Sequence, residues 1–256
     1  MNESVAIVTG ASQGIGRATA VRLANDFKSV VLAARNEKAL QETASAVKSA
    51  GAEPLPLALD LRQPDAARTL VSKTLETFGR IDALLNIAGA VPQIDILEMT
   101  DAQWDDGLSL KLHGARRATI HAWDALKKSK GSVVFMSGNS ALEPKPPFAA
   151  VATINAAIVA MARAFAERGI KDGIQVNSVL PGPVLTNRRM TYMEKYAPLH
   201  NMSVDEALEK FPSEARITRY GQPEDIANLM AFLVSPAGNW MTGAAVRMDG
   251  GEIKTI

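Results

Sequence analysis

The sequence contains no cysteine, few aromatic residues and almost no excess of charge of either sign. Without cysteine, the chain cannot hold a disulfide framework, a thiolate nucleophile or a Cys-ligated metal. Lys and Arg number 28 against 27 Asp and Glu, so at a net charge of +1 a nucleic acid or an anionic membrane would lack its main electrostatic attraction. Aromatic residues make up 5% of the chain, which argues against stacking surfaces for single-stranded nucleic acid.

Metal-binding and membrane-spanning patterns are also missing from the sequence. The 3 His, at positions 113, 121 and 200, lie far apart and show no ligand spacing. No apolar run approaches the roughly 18 residues that would span a bilayer. The first apolar run begins at Val5, which leaves no room for a signal peptide before it. We therefore expect a cytoplasmic protein whose partner is a small molecule, not a nucleic acid or a membrane.

Short apolar runs of strand type alternate with longer helical stretches along the 256 residues. The predicted strands are residues 5–8, 29–33, 55–59, 81–86, 132–136, 174–179 and 245–248. The predicted helices are residues 15–27, 37–50, 64–78, 101–128, 147–168 and 223–234. Continuously apolar strands that alternate with helices are typical of a parallel sheet covered by helices on both faces. Because no linker interrupts the rhythm, residues 1–256 are predicted to form a single α/β domain with a seven-stranded parallel sheet.

One segment, residues 187–220, departs from this alternation. It is rich in Met, Tyr, Lys and Glu and separates a predicted strand from the next helix. An insertion of this length in a compact domain is often functional, so we predict a substrate lid, with a surface helical pair as the alternative. The lid residues that would form an adaptable, amphipathic wall are Met190, Tyr192, Met193, Tyr196, Leu199 and Met202.

A glycine-rich turn, Thr9-Gly10-Ala11-Ser12-Gln13-Gly14-Ile15-Gly16, separates the first predicted strand from the first predicted helix. Glycines at such a turn let the backbone reverse sharply and approach a pyrophosphate closely. The helix that follows directs free N–H groups and its positive dipole end at the anion. Strand, glycine turn and helix together predict a dinucleotide site on a doubly wound (Rossmann-type) sheet.

The T-G-x-x-x-G-x-G spacing of this turn resembles that of the short-chain dehydrogenase/reductase family. Four further segments resemble motifs of that family: Asp60-Leu61, Asn86-Ile87-Ala88-Gly89, Pro181-Gly182-Pro183-Val184-Leu185-Thr186 and Asp249-Gly250-Gly251. The resemblance spans residues 4–251 and implies hydride transfer with a nicotinamide dinucleotide. The cofactor-binding residues that it implies are Gly10, Ser12, Gln13, Gly14, Ile15, Gly16, Arg35, Asp60, Leu61, Asn86, Ala88, Gly89, Pro181, Gly182, Val184 and Thr186.

The residues after the second strand indicate which dinucleotide is bound. NAD-binding folds of this type place an acid there for the ribose 2′-hydroxyl. This chain instead has Ala33-Ala34-Arg35, and a guanidinium would accept a 2′-phosphate as a bidentate partner. We therefore predict NADP, with NAD as the alternative because Arg35 could be a solvated residue and Gln13 adds no second positive charge. Arg17, next to the glycine turn, could neutralise the pyrophosphate.

The resemblance also implies a catalytic tetrad of Asn, Ser, Tyr and Lys, and this chain departs from it at every position. Val151 takes the place of the Tyr, Asn155 that of the Lys, Gly138 that of the Ser and Lys111 that of the Asn. The family's Tyr delivers or removes the substrate proton, and no Tyr occurs before Tyr192. Loss of a positioned acid or base typically costs about 10²–10⁴-fold in rate, so the usual carbonyl reductase mechanism is not expected.

The Asn and Lys positions have exchanged residue types, which suggests a different proton relay. If both helices face one site, Lys111 supplies the positive charge and the proton from the wall opposite Asn155. A half-buried Lys has a lowered pKa, which suits this role. Ser137 or Ser140 would polarise the substrate oxygen. The predicted catalytic residues are thus Lys111, Ser137 and Asn155, and the alternative is that Lys111 is an ordinary exposed helix residue.

Two functions of different classes follow from these residues. The first is an NADP(H)-dependent oxidoreductase with a non-standard proton relay that acts on an activated C=C bond, an imine or a carbonyl, in either direction. The second is a catalytically silent NAD(P)-binding sensor or a structural subunit of an oligomer. The resemblance implies a homo-oligomer, a tetramer or a dimer, packed through the two long helices. A small-residue face suits such packing, although burial against the sheet would explain the same residues: Ala149, Ala152, Ala156, Ala160 and Ala164.

Overall fold

The computed structural model describes residues 3–254, and these residues form seven strands and nine α-helices. The strands are β1 (Val5–Thr9), β2 (Ser29–Ala34), β3 (Glu53–Ala58), β4 (Ala83–Asn86), β5 (Ser132–Met136), β6 (Gln175–Pro181) and β7 (Ala245–Met248). The helices are α1 (Gly14–Leu23), α2 (Glu37–Ser49), α3 (Ala66–Phe78), α4 (Asp101–Gly107), α5 (Ala115–Ser129), α6 (Ala149–Asp172), α7 (Asn187–Leu199), α8 (Val204–Glu214) and α9 (Pro223–Leu233).

The strands form one sheet in the order β3-β2-β1-β4-β5-β6-β7, and every neighbouring pair is parallel. The strand order reverses between β1 and β4. At such a switch point the connections leave toward opposite sides, and a crevice opens at the carboxyl ends of the strands. The predicted doubly wound sheet is therefore confirmed, and its crevice lies beside the glycine-rich turn that follows β1.

Alternate residues of the apolar strands pack on opposite faces of the sheet. Ile7 and Val31 belong to the core on the face covered by α3, α5 and α6, whereas Val8 and Leu32 belong to the core under α1, α2 and α9. All four side chains are fully buried. A sheet buried on both faces needs apolar residues at every position, which explains why these strands show no polar alternation.

The long helix predicted at residues 101–128 is interrupted in its middle. Between α4 and α5, residues Leu108–Gly114 form a π-helical segment, and the helical path continues to Ser129. A π-helical turn places one extra residue in the helix and is frequently found at functional sites. Hydrophobic periodicity does not reveal this interruption, because the apolar face resumes beyond it.

Helix α6 is apolar on two sides, and each side has a different environment. By length and composition alone, Pro146–Asp172 could cross a membrane. The sequence prediction did not include this segment, because it considered only unbroken apolar runs. The α6 residues Ile154 and Ile158 are buried in the core, so packing within the fold accounts for part of this apolar character. Ala156 and Ala160 lie on the exposed side.

Asp172, the last residue of α6, joins this helix to α5. Its carboxylate accepts hydrogen bonds from Trp123 Nε1 at 2.8 Å and from Arg168 Nε at 3.0 Å, and Lys127 Nζ lies 2.6 Å away. The Asp172 side chain is 5% exposed, so these donors replace most of its water. Lys127 first, then Trp123 and Arg168, hold the pKa of the carboxyl group well below its usual range.

Replacing Asp172 by Asn is expected to lower the melting temperature at pH 7. The lowered pKa means that the carboxylate stabilises the fold above its unfolded-state pKa of about 3.9, and that this stabilisation is lost as the pH falls below that value. Thermal unfolding at pH 7 and at about pH 3 should show a gap between the two proteins that narrows in acid. Asp124→Asn, which changes an exposed carboxylate of α5, is the control. An equal loss of stability in Asp172→Asn and Asp124→Asn would contradict the stabilising role of the Asp172 carboxylate.

Candidate active site

A cavity of about 930 Å³ lies at the carboxyl ends of the central strands, in the crevice at the switch point. Its volume is near the upper end of the usual range for ligand pockets, roughly 300–1,000 Å³. The glycine-rich turn, the end of β2, the π-helical segment, the loop after β5, helix α6 and the first turn of α7 all contribute residues to its wall. The cavity thus brings together residues from segments that lie far apart in the sequence.

The glycine-rich turn closes one end of the cavity and is shaped for an anion. Gly10 adopts φ +71°, and a Cβ atom there would lie 2.9 Å from the Cα of Ala88. A Cβ atom on Gly16 would lie 2.1 Å from the carbonyl oxygen of Gly10, so this position also requires glycine. Gln13, at the N-cap of α1, makes no side-chain capping hydrogen bond. The first N–H groups of α1 thus stay available to a phosphate.

Most of the predicted cofactor-binding residues line this one cavity. They are Gly10, Ser12, Gln13, Gly14, Ile15, Gly16, Arg35, Leu61, Ala88, Gly89, Pro181, Gly182, Val184 and Thr186. Asp60 and Asn86 are not among the residues found in its wall. Asp60 Oδ1 instead accepts a hydrogen bond from the backbone N–H of Arg62 at 3.1 Å. Asn86 is buried and donates to Thr119 Oγ1 at 3.1 Å.

Thr9 has a role that the sequence analysis missed. Its Oγ1 accepts hydrogen bonds from the backbone N–H groups of Ile87 at 2.9 Å and Ala88 at 3.1 Å. These bonds join the end of β1 to the chain leaving β4, at the point where the strand order reverses. Thr9 therefore fixes the backbone at the floor of the cavity.

Arg35 lines the cavity directly after β2, and the glycine-rich turn lies beside this strand end, since the backbone N–H of Gly10 donates to the backbone oxygen of Ala33 at 2.8 Å. The Arg35 side chain is exposed, and the neighbouring residues Ala33 and Ala34 line the same part of the wall. Asp106, whose pKa the charge of Arg35 helps to lower after the larger effect of Arg62, is held by Arg62 through hydrogen bonds of 2.5 and 2.9 Å. A dinucleotide ribose at this end would therefore meet a guanidinium and no carboxylate at the end of β2.

Lys111 reaches the middle of the cavity from the π-helical segment. Its Nζ donates hydrogen bonds to the backbone oxygen of Ser137 at 3.2 Å and to Oδ1 of Asn155. Gly89 provides the space for this side chain, since a Cβ atom on Gly89 would lie 3.0 Å from Lys111 Cδ. Burial, followed by the charge of Arg188, lowers the pKa of Lys111 to about 7. The amine therefore changes charge near neutral pH.

Asn155 connects Lys111 to the loop after β5. Its Nδ2 donates to Ser140 Oγ at 2.9 Å, while its backbone oxygen accepts from Ser137 Oγ at 2.8 Å. A Cβ atom on Gly138 would lie 2.6 Å from Nδ2 of Asn155, so the amide occupies the space that a side chain at position 138 would need. The structure thus brings the three predicted catalytic residues together, but it engages the hydroxyl of Ser137 with the backbone. Ser140 is the serine that presents its oxygen beside them.

Helix α6 contributes no phenol to the cavity wall. Val151 lines the cavity one helical turn before Asn155. All 3 Tyr of the chain lie after position 191. Tyr192, on α7, also lines the cavity and packs its ring 5.5 Å from that of Phe148, and burial raises its pKa above the usual value of 10.0. Lys111 is thus the group of this wall whose charge changes near pH 7.

The segment 187–220 forms helices α7 and α8, which pack on each other. Met193 and Ala197 of α7 and Ala207 of α8 are buried in a small core of their own. Arg189 lies within this unit, with its guanidinium carbon 3.9 Å from the ring centre of Phe211. The first turn of α7 forms one wall of the cavity, which fits the prediction of a lid without testing its movement.

Three charged residues of the cavity wall were missed by the sequence analysis. Arg188 and Arg189 lie in the first turn of α7, and Glu252 lies near the carboxyl end of the chain. Burial raises the pKa of the Glu252 carboxyl, whose oxygen accepts a hydrogen bond from Asn139 Nδ2. Two consecutive arginines close after Thr186, separated from it by Asn187, were the available signal, and the sequence prediction for this segment considered its Met and Tyr residues instead.

Comparisons with known proteins agree on one family. A family profile described as enoyl-(acyl carrier protein) reductase matches residues 10–252. The short-chain reductase protein NovJ of Streptomyces niveus is 30% identical over 250 residues, which cover 98% of this chain and 94% of that protein. A 3-oxoacyl-[acyl-carrier-protein] reductase of Synechocystis sp. is 30% identical over 256 residues, covering 99% of this chain and 98% of the relative. The crystal structure of L-sorbose reductase from Gluconobacter frateurii, complexed with NADPH and L-sorbose, superposes with a TM-score of 0.93 at 28% identity and covers 100% of both chains.

Proposed function

The chain belongs to the short-chain dehydrogenase/reductase family, and from this premise we propose an NADP(H)-dependent oxidoreductase with a non-standard proton relay. Its substrate is a small organic molecule with a carbonyl, an imine or an activated C=C bond. The observation that carries the proposal is the position of Lys111 Nζ, hydrogen-bonded to Ser137 and Asn155 within the cavity. This position supports the proposal, because an amine that exchanges its proton near neutral pH would then lie beside the site of hydride transfer.

The shape of the cavity fits a dinucleotide. Gly10 and Gly16 leave space that a Cβ atom would fill, and the uncapped start of α1 offers N–H groups to a pyrophosphate. Arg35 would hold the 2′-phosphate of NADP, and Thr186 and Val184 would hold the nicotinamide end. When bound, the coenzyme supplies or accepts the hydride. The NADPH in the sorbose reductase structure supports the choice of coenzyme.

Lys111 would act as the proton donor during reduction. Its ammonium form has three N–H donors, and the bonds to Ser137 and Asn155 use two of them. The third can face a substrate oxygen or nitrogen and transfer a proton to it as negative charge develops there. Asn155 and Ser140 would keep the amine in place, so they are positioning residues. In the oxidative direction the neutral amine would remove the same proton.

Arg35→Ala is expected to raise the Kd for NADPH roughly 10–100-fold, because hydrogen bonds to a charged group contribute about 1.5–3 kcal/mol. The Kd for NADH should hardly change, since that coenzyme has no 2′-phosphate. Fluorescence titration of both coenzymes measures the difference. Lys38→Ala removes an exposed charge from the neighbouring helix α2 and serves as the control. An equal loss of affinity for both coenzymes would show that Arg35 does not read the phosphate.

A non-catalytic coenzyme-binding protein is the second candidate function. It is favoured by the absence of a phenol among the residues of α6 that line the cavity, where Val151 lies. The two functions are separated by a titration with NADPH followed by a panel of ketones, imines and enones, with loss of NADPH absorbance as the readout. Turnover of any class supports the oxidoreductase. Tight NADPH binding without turnover of any class supports the sensor or the silent subunit.

The exposed side of α6 supports the homo-oligomer that we propose as part of this function. Ala156, Ala160 and Ala164 lie on that side, whereas Ile154 and Ile158 face the sheet. Burial against the sheet therefore does not explain why these three exposed residues are small. The close approach of a helix from a second copy would explain it. Light scattering of the purified protein measures the assembly, and a monomer would contradict this part of the proposal.

A further inference from the structure

Two cations face the cavity without an acidic partner. Lys111 approaches from the π-helical segment, and Arg188 approaches from the first turn of α7. Arg188 Nη2 donates to the backbone oxygen of Val91 at 2.9 Å, so the side chain extends from α7 to the chain segment after β4. Within residues 3–254, neither cation lies within ion-pair distance of a carboxylate.

The remaining charges of this wall do not neutralise the pair. Lys145 and Arg189 both lower the pKa of Glu252, so these two cations surround that one carboxylate. Glu143 also lines the cavity, but its side chain is exposed and makes no ion pair that the structure shows. The part of the cavity next to Lys111 is therefore positive.

Two positive charges held close together in a poorly solvated site raise the free energy of the folded protein. Burial lowers the pKa of Arg188, and the charge of Arg188 adds to the lowering of the Lys111 pKa. Like charges in a poorly solvated site oppose each other, and an anion between them relieves both. The arrangement therefore selects for a negatively charged ligand group.

The donors of Arg188 match a carboxylate. A guanidinium has five N–H donors in a planar fork, and the bond to Val91 uses one of them. The others can bind two oxygen atoms in parallel, which a carboxylate offers in the same plane. Such a pair holds the ligand in a fixed direction, whereas the flexible ammonium of Lys111 remains free to approach the reacting atom.

We propose that the substrate carries a carboxylate, that Arg188 binds this group, and that Lys111 faces the carbonyl, imine or alkene that is reduced. The proposal rests on the reductase function and names its substrate class, an oxo acid or its imine or unsaturated counterpart. The carboxylate is a recognition group and takes no part in the transfer of hydride or proton. Arg188 is accordingly a specificity-determining residue.

Matched pairs of substrates test this proposal with NADPH consumption as the readout. Levulinate and methyl levulinate differ in the carboxylate charge, and dihydroxyacetone phosphate tests a phosphate in its place. The acid should have a kcat/KM about 10–100-fold above that of its ester, the range expected for a charge-assisted contact. Arg188→Gln should remove this preference by lowering kcat/KM for the acid alone. A phosphate preferred over the acid, or an ester as good as the acid, would overturn the proposal.

A matched variant on the same helix shows whether the preference for the acid depends on direct contact with Arg188 or on the overall positive charge of α7. Lys195 lies on α7, is exposed and is not among the cavity residues, so Lys195→Gln should leave the preference for the acid unchanged. The Kd for NADPH must also stay unchanged in Arg188→Gln. A Kd that rises with the loss of Arg188 would assign this guanidinium to the coenzyme pyrophosphate and overturn the proposal.

The inference can be tested even if no oxo compound is turned over. Succinate, added to the NADP⁺-loaded protein, should raise the melting temperature of the wild type and of Lys195→Gln, but not that of Arg188→Gln. This result without turnover would disprove the reductase function and retain the carboxylate site. The carboxylate site would be disproved if succinate left the melting temperature of the wild type unchanged and, in addition, either the acid was not reduced faster than its ester or neither compound was turned over.

Discussion

Lys111→Met is expected to lower kcat for reduction about 10²–10⁴-fold, the loss that follows removal of a positioned general acid. Methionine has a similar length and no proton to donate, so the cavity keeps its shape while the relay is interrupted. The Kd for NADPH should hardly change, because Lys111 is bonded to Ser137 and Asn155 and not to the glycine-rich turn. Single-turnover rates, measured beside NADPH titration and thermal unfolding, separate chemistry from binding and stability.

The pH dependence identifies the same group independently. Burial lowers the pKa of Lys111 to about 7, so the ammonium form predominates below that pH and the amine above it. The rate of reduction should fall as the pH rises through about 7, and the rate of oxidation should rise over the same interval. Lys111→Met should lack this step. Lys111→Arg should also lack it, since a guanidinium keeps its proton throughout this range.

Other ionisable groups near Lys111 predict different profiles. Arg188 keeps its charge near neutral pH because a guanidinium is not deprotonated in this range, and burial raises the pKa of Tyr192 above 10.0. Burial also raises the pKa of Glu252, so Glu252→Gln shows whether that carboxyl group contributes to the step. A step near pH 7 that persists in Lys111→Met would contradict the proposed relay.

The sheet and the phosphate end of the cavity could be predicted because both depend on local sequence. Runs such as that of β1 are apolar at every position since both faces of the sheet are buried. The requirement for glycine at position 16 arises from a contact inside the turn, and the left-handed backbone at Gly10 is a local property as well, although the chain after β4 also packs against Gly10. A pattern in adjacent residues is sufficient to reveal such features.

The substrate end could not be predicted to the same extent, because its residues come from distant segments. Lys111 reaches the cavity through a π-helical turn, which the apolar periodicity of residues 101–128 does not indicate. Arg188 points toward the cavity because Thr186 caps α7 and fixes the start of that helix. The bonds from Asp60 to Arg62 and from Asn86 to Thr119 were likewise not predicted, and the assignment of both residues to the coenzyme stays a prediction. Long-range contacts of this kind depend on the complete fold.

Asn155→Asp is expected to move the step in the pH profile upward by about 1–3 units, the usual effect of an opposite charge in contact with an ionisable group. The substitution changes the shape of the side chain very little and places a carboxylate against Lys111 Nζ, where the amide oxygen now accepts its hydrogen bond. Ser140 can rotate its hydroxyl to donate to the new oxygen, so the contact from Asn155 to the loop after β5 is preserved. Rates of reduction measured from pH 6 to about 10 would show the shift.

We expect the size of that shift to depend on direct contact between the new carboxylate and Lys111. A carboxylate placed elsewhere in the same cavity tests this. Asn187 lines the cavity from the first turn of α7 and makes no hydrogen bond to Lys111, so Asn187→Asp should move the step much less. An equal shift in both variants would mean that the general field of the cavity sets the pKa. An unmoved step in a folded Asn155→Asp protein would mean that a different group donates the proton. A large shift that occurs only in Asn155→Asp, together with the loss of the step in Lys111→Met, would assign the proton to Lys111. Among the described residues, no other amine donates a hydrogen bond to Asn155.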